Sequence, residues 1–209
     1  ELVWITAKYH GSNSRFCYHN DQFYCGSRTE WKKEFASPPK ADLAILTEKL
    51  GEEKAQEVFA SIEAKSQNWQ AKQNLWWRVL RENEPLQKFL TNNPNTAVYG
   101  ETIGVQGSDF LYGLKRGEVA LRVFDIMRDG RWLDAQHARD LGKDLPWVTL
   151  VHKDIPFNFS DIVALAENPP IYDNKITEGF VIKPAKERYD EHIGRVQAKI
   201  VTPKYLERS

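Results

Sequence analysis

The chain has 209 residues, enough for one large domain or two small ones with a sizeable hydrophobic core. Its 29 basic and 29 acidic residues balance, so a nucleic-acid-binding protein of this composition must concentrate its cations in a local groove. No apolar run approaches the roughly 20 residues that a membrane-spanning helix requires, so we expect no membrane association.

The two cysteines, Cys17 and Cys25, flank a polar turn at residues 20–21. If that turn closes a two-residue hairpin, Cys17 faces Tyr24 on the opposite strand. Cys25 then faces Phe16, so the two sulfur atoms are not cross-strand partners. Together with the absence of a signal peptide, this favours a reducing, intracellular and cytoplasmic setting. Neither these cysteines nor the five histidines have a spacing suited to zinc.

The hydrophobic pattern alternates between strand-like and helix-like periods along the chain. Strands are predicted at residues 2–8, 15–18, 22–25, 97–103, 119–126, 131–133, 178–183 and 195–201, with a tight turn at residues 129–130. Apolar residues at helical spacing predict two or three helices within residues 41–93: Val58, Phe59, Ile62, Trp69, Trp76, Trp77 and Leu80. We interpret these tryptophans as core residues rather than as platforms for RNA bases. A short helix is predicted at residues 160–167, with Ser160 as its N-cap.

These elements predict an α+β fold with antiparallel sheets and a helical insertion at about residues 41–94. In the last predicted strand, Arg195, Gln197 and Lys199 alternate with apolar residues. We therefore expect Val196, Ala198 and Ile200 to point inward and Lys199 to point into a polar cleft.

The first predicted strand ends in a lysine that is followed by a turn of small residues. An apolar run at residues 2–5 leads to Lys8 at the end of the strand, and Gly11, Ser12 and Asn13 follow. An apolar wall favours the neutral, nucleophilic form of an amine, and such a turn lets backbone amides approach an anion. A solvated lysine after any strand has the same local pattern, so the exact residues of the turn decide between the two interpretations.

Residues 8–13, read as KYHGSN, resemble the nucleotide-accepting motif of RNA ligases, which belong to the covalent nucleotidyltransferase superfamily. DNA ligases and capping enzymes of that superfamily usually carry Asp at the position of His10. The resemblance implies a nucleotidyltransferase fold of the ATP-grasp-like ligase type and a covalent lysyl-AMP intermediate on Lys8. We expect Ala7 and Asn13 also to contact the nucleotide.

The remaining motifs of the superfamily have counterparts in the same order along the chain. By resemblance, Arg28 in a Ser-Arg pair contacts the nucleotide, Glu101 in a Tyr-Gly-Glu segment takes the ribose hydroxyls, and Phe124 stacks on the adenine. We expect Gly100 to permit close approach of the ligand. Each residue also has an ordinary interpretation: a surface arginine, a strand-end acid and a core phenylalanine.

The last two motifs supply a carboxylate and a cation. Glu178 in a Glu-Gly-x-Val segment resembles the residue that acts on Mg²⁺ or Mn²⁺, directly or through water. Lys199 matches the phosphate-binding lysine of the fifth motif. Some relatives carry a second lysine separated from the first by one residue, and this chain has Gln197 and Val201 at those two places. Either Lys204 or Lys183 supplies that second cation, or the phosphate contact is weaker.

The resemblance implies an enzyme that uses ATP and joins RNA carrying 5′-phosphate and 3′-hydroxyl ends, and we expect it to be a monomer. The alternatives are a DNA ligase, an mRNA-capping guanylyltransferase and a non-catalytic RNA-binding module. His10 argues against the first two, and the intact ligand-type residues argue against the third. Because the chain ends soon after the fifth motif, we expect residues 1–209 to be an adenylyltransferase domain whose accessory domain lies outside them. Such a domain would adenylylate its lysine but seal RNA weakly or not at all.

Overall fold

The computed structural model describes residues 1–67, 70, 72–104, 110–170 and 177–207. The elements of this part of the chain are β1 (Leu2–Lys8), β2 (Ser12–His19), β3 (Gln22–Gly26), α1 (Leu43–Leu50), α2 (Glu52–Gln67), α3 (Leu75–Arg81), α4 (Glu84–Asn92), β4 (Thr96–Ile103), β5 (Ala120–Arg128), β6 (Arg131–Trp132), α5 (Ala135–Leu141), β7 (Leu150–Pro156), α6 (Phe159–Glu167), β8 (Gly179–Pro184), β9 (Tyr189–Asp190), β10 (Gly194–Arg195), β11 (Ala198–Val201) and α7 (Pro203–Leu206). None of these helices is long and apolar enough to cross a membrane.

Two antiparallel sheets form the framework. A four-stranded sheet has the order β11-β8-β1-β7, and a five-stranded sheet has the order β3-β2-β4-β5-β6. Strands β9 and β10 form a separate two-stranded antiparallel ribbon. The predicted α+β class with antiparallel sheets is therefore confirmed.

Each sheet buries one apolar face against helices. In the larger sheet, Phe16, Val98 and Ile126 pack with residues of α3 and α4, among them Leu80 and Leu90. In the smaller sheet, the apolar run of β1 packs with β8 and α6; the buried residues of this cluster are Val3, Ile5, Ile162, Ala166, Phe180 and Ile182. Alternation of apolar and polar residues along each strand leaves the opposite side chains free to line a cleft.

The helical segment divides into two parts that differ in burial. Helix α1 buries no residue and α2 buries only Ala55, whereas α3 and α4 contribute to the core of the larger sheet. Trp76 and Trp77 pack against that core, and their indole nitrogens donate hydrogen bonds to the backbone oxygens of Asn13 and Lys32 at 2.9 and 2.6 Å. The core interpretation of these two tryptophans is confirmed, while Trp69 lies outside the described residues.

Both predicted hairpin turns have the backbone that a two-residue turn requires. Asn20 and Asp21 have φ angles of 48° and 59°, and Asp129 and Gly130 have 49° and 74°. These left-handed values match the right-handed twist of paired strands and are tolerated by Asn, Asp and Gly. The first turn pairs Cys17 with Tyr24 and Cys25 with Phe16, as predicted, and both cysteines are free.

Three local predictions were wrong. The N-cap of α6 is Asn158, whose side chain accepts hydrogen bonds from the backbone of Ser160 and Asp161. The predicted strand at 195–201 is interrupted, because Arg195 pairs with β9 while β11 begins at Ala198 and pairs with β8. Ala198 is exposed and lines the cleft instead of pointing inward.

Strand β7 and helix α5 were not predicted. β7 pairs with β1 through two register shifts, and four of its seven residues are exposed. Its Asp154 has a φ of 53° and accepts a hydrogen bond from the Trp4 indole at 2.8 Å. Because an irregular edge strand buries no continuous face, it lacks the alternation on which a sequence-based prediction depends.

We predict that Leu90→Ala, which removes a fully buried side chain of α4, lowers the free energy of unfolding by about 2–5 kcal/mol. The matched control is Ile45→Ala on α1, where the side chain is 50 % exposed and the expected cost is below about 1 kcal/mol. Urea unfolding followed by tryptophan fluorescence measures both. Equal losses would contradict the division of the helical segment into a core part and a peripheral part.

Candidate active site

A cleft of about 740 Å³ lies between the two sheets. The smaller sheet contributes residues of β1, β8 and β11, and the larger sheet contributes residues of β2, β4 and β5. Seven of the eight predicted site residues line this cleft: Ala7, Lys8, Asn13, Arg28, Glu101, Phe124 and Lys199. The eighth, Glu178, contacts Lys8 directly. The structure thus brings all eight together, while their roles stay predictions.

The Lys8 amine lies against a buried carboxylate. Strands β1 and β8 pair with Lys8 opposite Gly179, so Glu178 comes beside the lysine. The Lys8 Nζ donates to Glu178 Oε1 at 2.5 Å, and the lysine side chain is 24 % exposed against 8 % for the glutamate. The other carboxylate oxygen, Oε2, is buried and has no hydrogen-bond partner. An orphaned buried carboxylate oxygen is costly and is an available ligand for a cation.

Gly179 is required by strand packing. A Cβ atom at this position would lie 2.0 Å from the backbone oxygen of Ile200 on β11, so only glycine lets β11 approach β8. The backbone of Thr202, just after β11, donates to the backbone oxygen of Glu178 at 2.9 Å. The Glu-Gly pair therefore fixes the carboxylate beside Lys8 and, through β11, places Lys199 on the same cleft.

Glu101 is the second carboxylate of the cleft and lies opposite Asn13 on the neighbouring strand. Burial raises the pKa of Glu101 to about 7, with the Lys8 charge opposing and the Glu178 charge adding to the increase. A backbone hydrogen bond from Gly11 also favours the ionised form. Near neutral pH this carboxyl can thus be protonated when the cleft is empty and can ionise when donors enter.

The predicted role of Gly100 was wrong. A Cβ there would lie 2.6 Å from a methyl carbon of Leu121 and 2.8 Å from the backbone oxygen of Arg122. Gly100 therefore faces the neighbouring strand β5, where the register shifts, while Tyr99 and Glu101 on either side of it line the cleft. The glycine allows two strands to pack closely rather than a ligand to approach.

A buried charge network next to Phe124 was missed by the sequence analysis. Asp125 binds the Lys183 amine at 2.6 Å and accepts two hydrogen bonds from Arg195 at 2.7 and 3.0 Å. Lys183 also donates to the Phe124 backbone oxygen at 3.0 Å, and Arg195 pairs with Glu187 as well. Burial lowers the pKa of Lys183, and the Asp125 charge opposes this. The sequence signal that could have indicated this network is Asp125, a charged residue inside the apolar pattern of β5.

This network affects which residue could replace the missing second lysine of the fifth motif. The Lys183 amine lines the cleft but is already held by Asp125 and by the Phe124 carbonyl. Lys204 lies on α7 and is exposed, and it is not part of the cleft wall. Among the lysines that line the cleft, Lys8 and Lys183 are held in ion pairs, whereas Lys199 is exposed and forms no ion pair with any described residue.

His10 is held by aromatic residues on both sides of the turn. Its backbone N–H donates to the Tyr112 hydroxyl at 2.7 Å, and its Nδ1 lies 2.6 Å from the Tyr205 hydroxyl of α7. The ring of Phe110 packs on the imidazole with centroids 4.5 Å apart. His10 therefore anchors the turn that follows Lys8.

No described cluster of three or more His, Cys, Asp or Glu side chains could hold a metal ion by itself. Mg²⁺ and Mn²⁺ in phosphate-transfer sites are commonly held by one or two carboxylates together with substrate phosphates and water. The orphaned Oε2 of Glu178 fits that requirement as a single protein ligand.

The fold and this cleft define a lysine-centred site of nucleotide size between two antiparallel sheets. A family model described as RNA ligase matches residues 1–201, so the chain belongs to the RNA ligase family. A comparison with curated proteins finds no match.

Solved structures of Naegleria gruberi RNA ligase share the fold. A mutant with AMP and Mn has a TM-score of 0.68 at 19 % identity, a mutant with ATP and Mn has 0.67 at 18 %, and the enzyme with PPi has 0.66 at 20 %. These matches cover 100 % of this chain and 52 %, 52 % and 51 % of the other chains, respectively. The chain thus spans about half the length of the solved relatives that it matches.

We predict a pH signature of Glu101 in the ligand-free protein. A carboxyl whose pKa rises from 4.5 to about 7 on folding contributes stability that is complete below pH 4.5 and is lost as the pH rises through 7. Glu101→Gln removes this term, so its unfolding free energy relative to wild type should increase by about 2–3 kcal/mol between pH 4.5 and 7.5. Urea unfolding of both proteins across this range measures the difference. Parallel pH curves would contradict the elevated pKa.

Proposed function

We propose that this chain is the nucleotidyltransferase domain of an ATP-dependent RNA ligase and that Lys8 is its nucleophile. The observation that carries the proposal is the contact between the Lys8 amine and the buried Glu178 carboxylate. It lies in a cleft that is also lined by the Glu101 carboxylate, an aromatic side chain and a lysine without an ion pair to any described residue. Family membership and the likeness to ligases solved with ATP or AMP and Mn support the same assignment.

In the first step, the neutral Lys8 amine attacks the α-phosphorus of ATP. A nitrogen–phosphorus bond forms, the bond to pyrophosphate breaks, the nitrogen releases one proton to solvent, and AMP stays on the lysine. Glu178 Oε1 holds the amine at the end of β1, which keeps its nitrogen in position for attack. Mg²⁺ or Mn²⁺, bound through Glu178 Oε2, would neutralise charge on the phosphates.

We assign roles to the other predicted residues from their chemistry and from their positions in the cleft. Asn13 and Arg28 can donate to ribose or phosphate oxygens, and Glu101 can accept from ribose hydroxyls. Phe124 and Ala7 offer apolar contact for the base, and Lys199 can pair with a phosphate. The matched RNA ligase solved with PPi supports pyrophosphate as the leaving group.

In the later steps, AMP passes from Lys8 to the 5′-phosphate of RNA, and a 3′-hydroxyl then displaces AMP to join the ends. RNA with these ends is thus the proposed partner, and a monomer is sufficient because all eight site residues come from one chain. We propose residues 1–209 as the unit that carries out the lysine adenylylation.

We predict that incubation with α-labelled ATP and Mg²⁺ transfers the label to the protein, and that Lys8→Ala abolishes the transfer because no amine remains at the end of β1. Denaturing electrophoresis measures the label, which should be acid-labile. The exposed Lys54→Ala on α2 is the matched control and should be labelled like wild type. Labelling from α-labelled GTP instead of ATP would indicate capping chemistry, and labelling of the Lys8 variant would contradict the assignment of the nucleophile.

A further variant tests the carboxylate. Glu178→Gln keeps the shape but removes the charge and one acceptor beside Lys8, so we expect labelling to slow by about 10- to 100-fold. The effect should be seen with both Mg²⁺ and Mn²⁺, and circular dichroism should show an intact fold. Glu57→Gln, an exposed position on α2, serves as the control. A wild-type labelling rate in Glu178→Gln would remove Glu178 from the site.

A further inference from the structure

Arg15 lies in the cleft beyond the proposed ATP-binding residues. It follows Asn13 by two residues on β2, so both side chains leave the same face of the strand, about 7 Å apart along it. Its cross-strand neighbours are Tyr99 on β4 and Gly26 at the end of β3. Arg15 is therefore on the side of the cleft that faces β3, the edge strand of the larger sheet.

The Arg15 guanidinium has no anionic partner among the described residues. Its Nε is buried and makes no hydrogen bond. Arg195, in the same cleft, is by contrast bound by two carboxylates. Because a partly buried cation without a counter-charge is costly, an anion that enters the cleft would supply what the protein does not.

Trp31 gives this arginine an aromatic neighbour. The Arg15 Cζ lies 4.0 Å from the centroid of the Trp31 ring, and the Tyr24 ring packs edge-to-face with the indole, with ring centroids 6.0 Å apart. A backbone bridge to Gly26 holds Trp31 in place, yet the residue remains 49 % exposed. An indole that is fixed on one side and open on the other can stack on a nucleic-acid base.

We infer that Arg15 and Trp31 form a subsite for the 5′-phosphorylated RNA strand, in which the guanidinium binds a backbone phosphate and the indole stacks on a base. A cation that tracks phosphates next to an exposed aromatic ring is the general basis of single-strand binding. This inference rests on the proposed function, since it names how RNA would reach the AMP on Lys8.

The arrangement favours RNA over ATP as the ligand of Arg15. The proposed base contact, Phe124, is on β5, which is two strands from β2 and about 10 Å away. The proposed nucleophile, Lys8, and the lysine proposed to pair with a phosphate, Lys199, belong to the other sheet. Arg15 and the exposed Trp31 lie instead toward β3, the edge strand of the larger sheet, where an RNA strand can enter from solvent.

The test measures RNA binding and lysine adenylylation separately. A 5′-phosphorylated, fluorescently labelled single-stranded RNA is titrated with the 209-residue protein, and binding is followed by anisotropy at several salt concentrations. Trp31→Ala should weaken binding about tenfold, and Trp31→Phe should restore most of it because a flat ring remains. Arg15→Gln should weaken binding about tenfold and reduce the slope of log K against log salt by about 0.7.

Two matched controls and the labelling assay make the outcome decisive. Phe159→Ala on α6 removes an aromatic side chain that is 68 % exposed, and Lys88→Gln removes an exposed charge on α4; both should bind RNA like wild type. Trp31→Ala should be labelled by α-labelled ATP within about twofold of wild type, whereas AMP transfer to the RNA should fall with its affinity.

The inference is overturned if wild type does not bind the RNA, if Trp31→Ala and Arg15→Gln bind it like wild type, or if Arg15→Gln slows lysine labelling as much as AMP transfer. These failures are distinct from failure of the proposed function. A wild type that is labelled by ATP while the two variants bind RNA normally would remove the subsite alone. A wild type that is never labelled would instead remove the enzyme assignment.

Discussion

The contact between Lys8 and Glu178 is the constraint on which the site depends. It joins two neighbouring strands whose pairing is fixed by their backbone register, and it places an amine and a buried carboxylate 2.5 Å apart. A buried ion pair is weak evidence of stability, because desolvation offsets much of its attraction. One carboxylate oxygen here has no partner at all. The arrangement is therefore better explained by a ligand that uses that oxygen than by a contribution to folding.

The two sheets bring together residues that are far apart in the chain. Lys8 and Lys199 are separated by 191 positions, yet only β8 lies between their strands. The glycine at 179 makes this possible, because any side chain there would collide with β11. On the opposite sheet, the pairing of β2 with β4 sets Asn13 against Glu101. Strand register thus assembles the site, and helices α3, α4 and α6 stabilise it by covering the outer faces.

The sequence predicted the fold class, both tight turns and the set of residues that meet in the cleft, because turn chemistry and short motifs are local signals. It did not show that Glu178 contacts Lys8, since that contact depends on the pairing of strands 170 residues apart. The network of Asp125, Lys183 and Arg195 was missed for the same reason. Strand β7 was missed because its bulged edge position leaves no alternating pattern. Gly100 was misjudged because a sequence does not show which side of a strand is crowded.

The most direct test of Lys8 as the nucleophile is mass spectrometry of the intact protein after incubation with unlabelled ATP and Mg²⁺. We predict a mass increase of one AMP per chain, reversed by added pyrophosphate. Peptide mapping at neutral pH should locate the adduct on Lys8, the last residue of β1. An adduct on any other lysine, or a protein that stays unmodified while its fold is intact, would contradict the assignment of this cleft as the site of covalent nucleotidyl transfer.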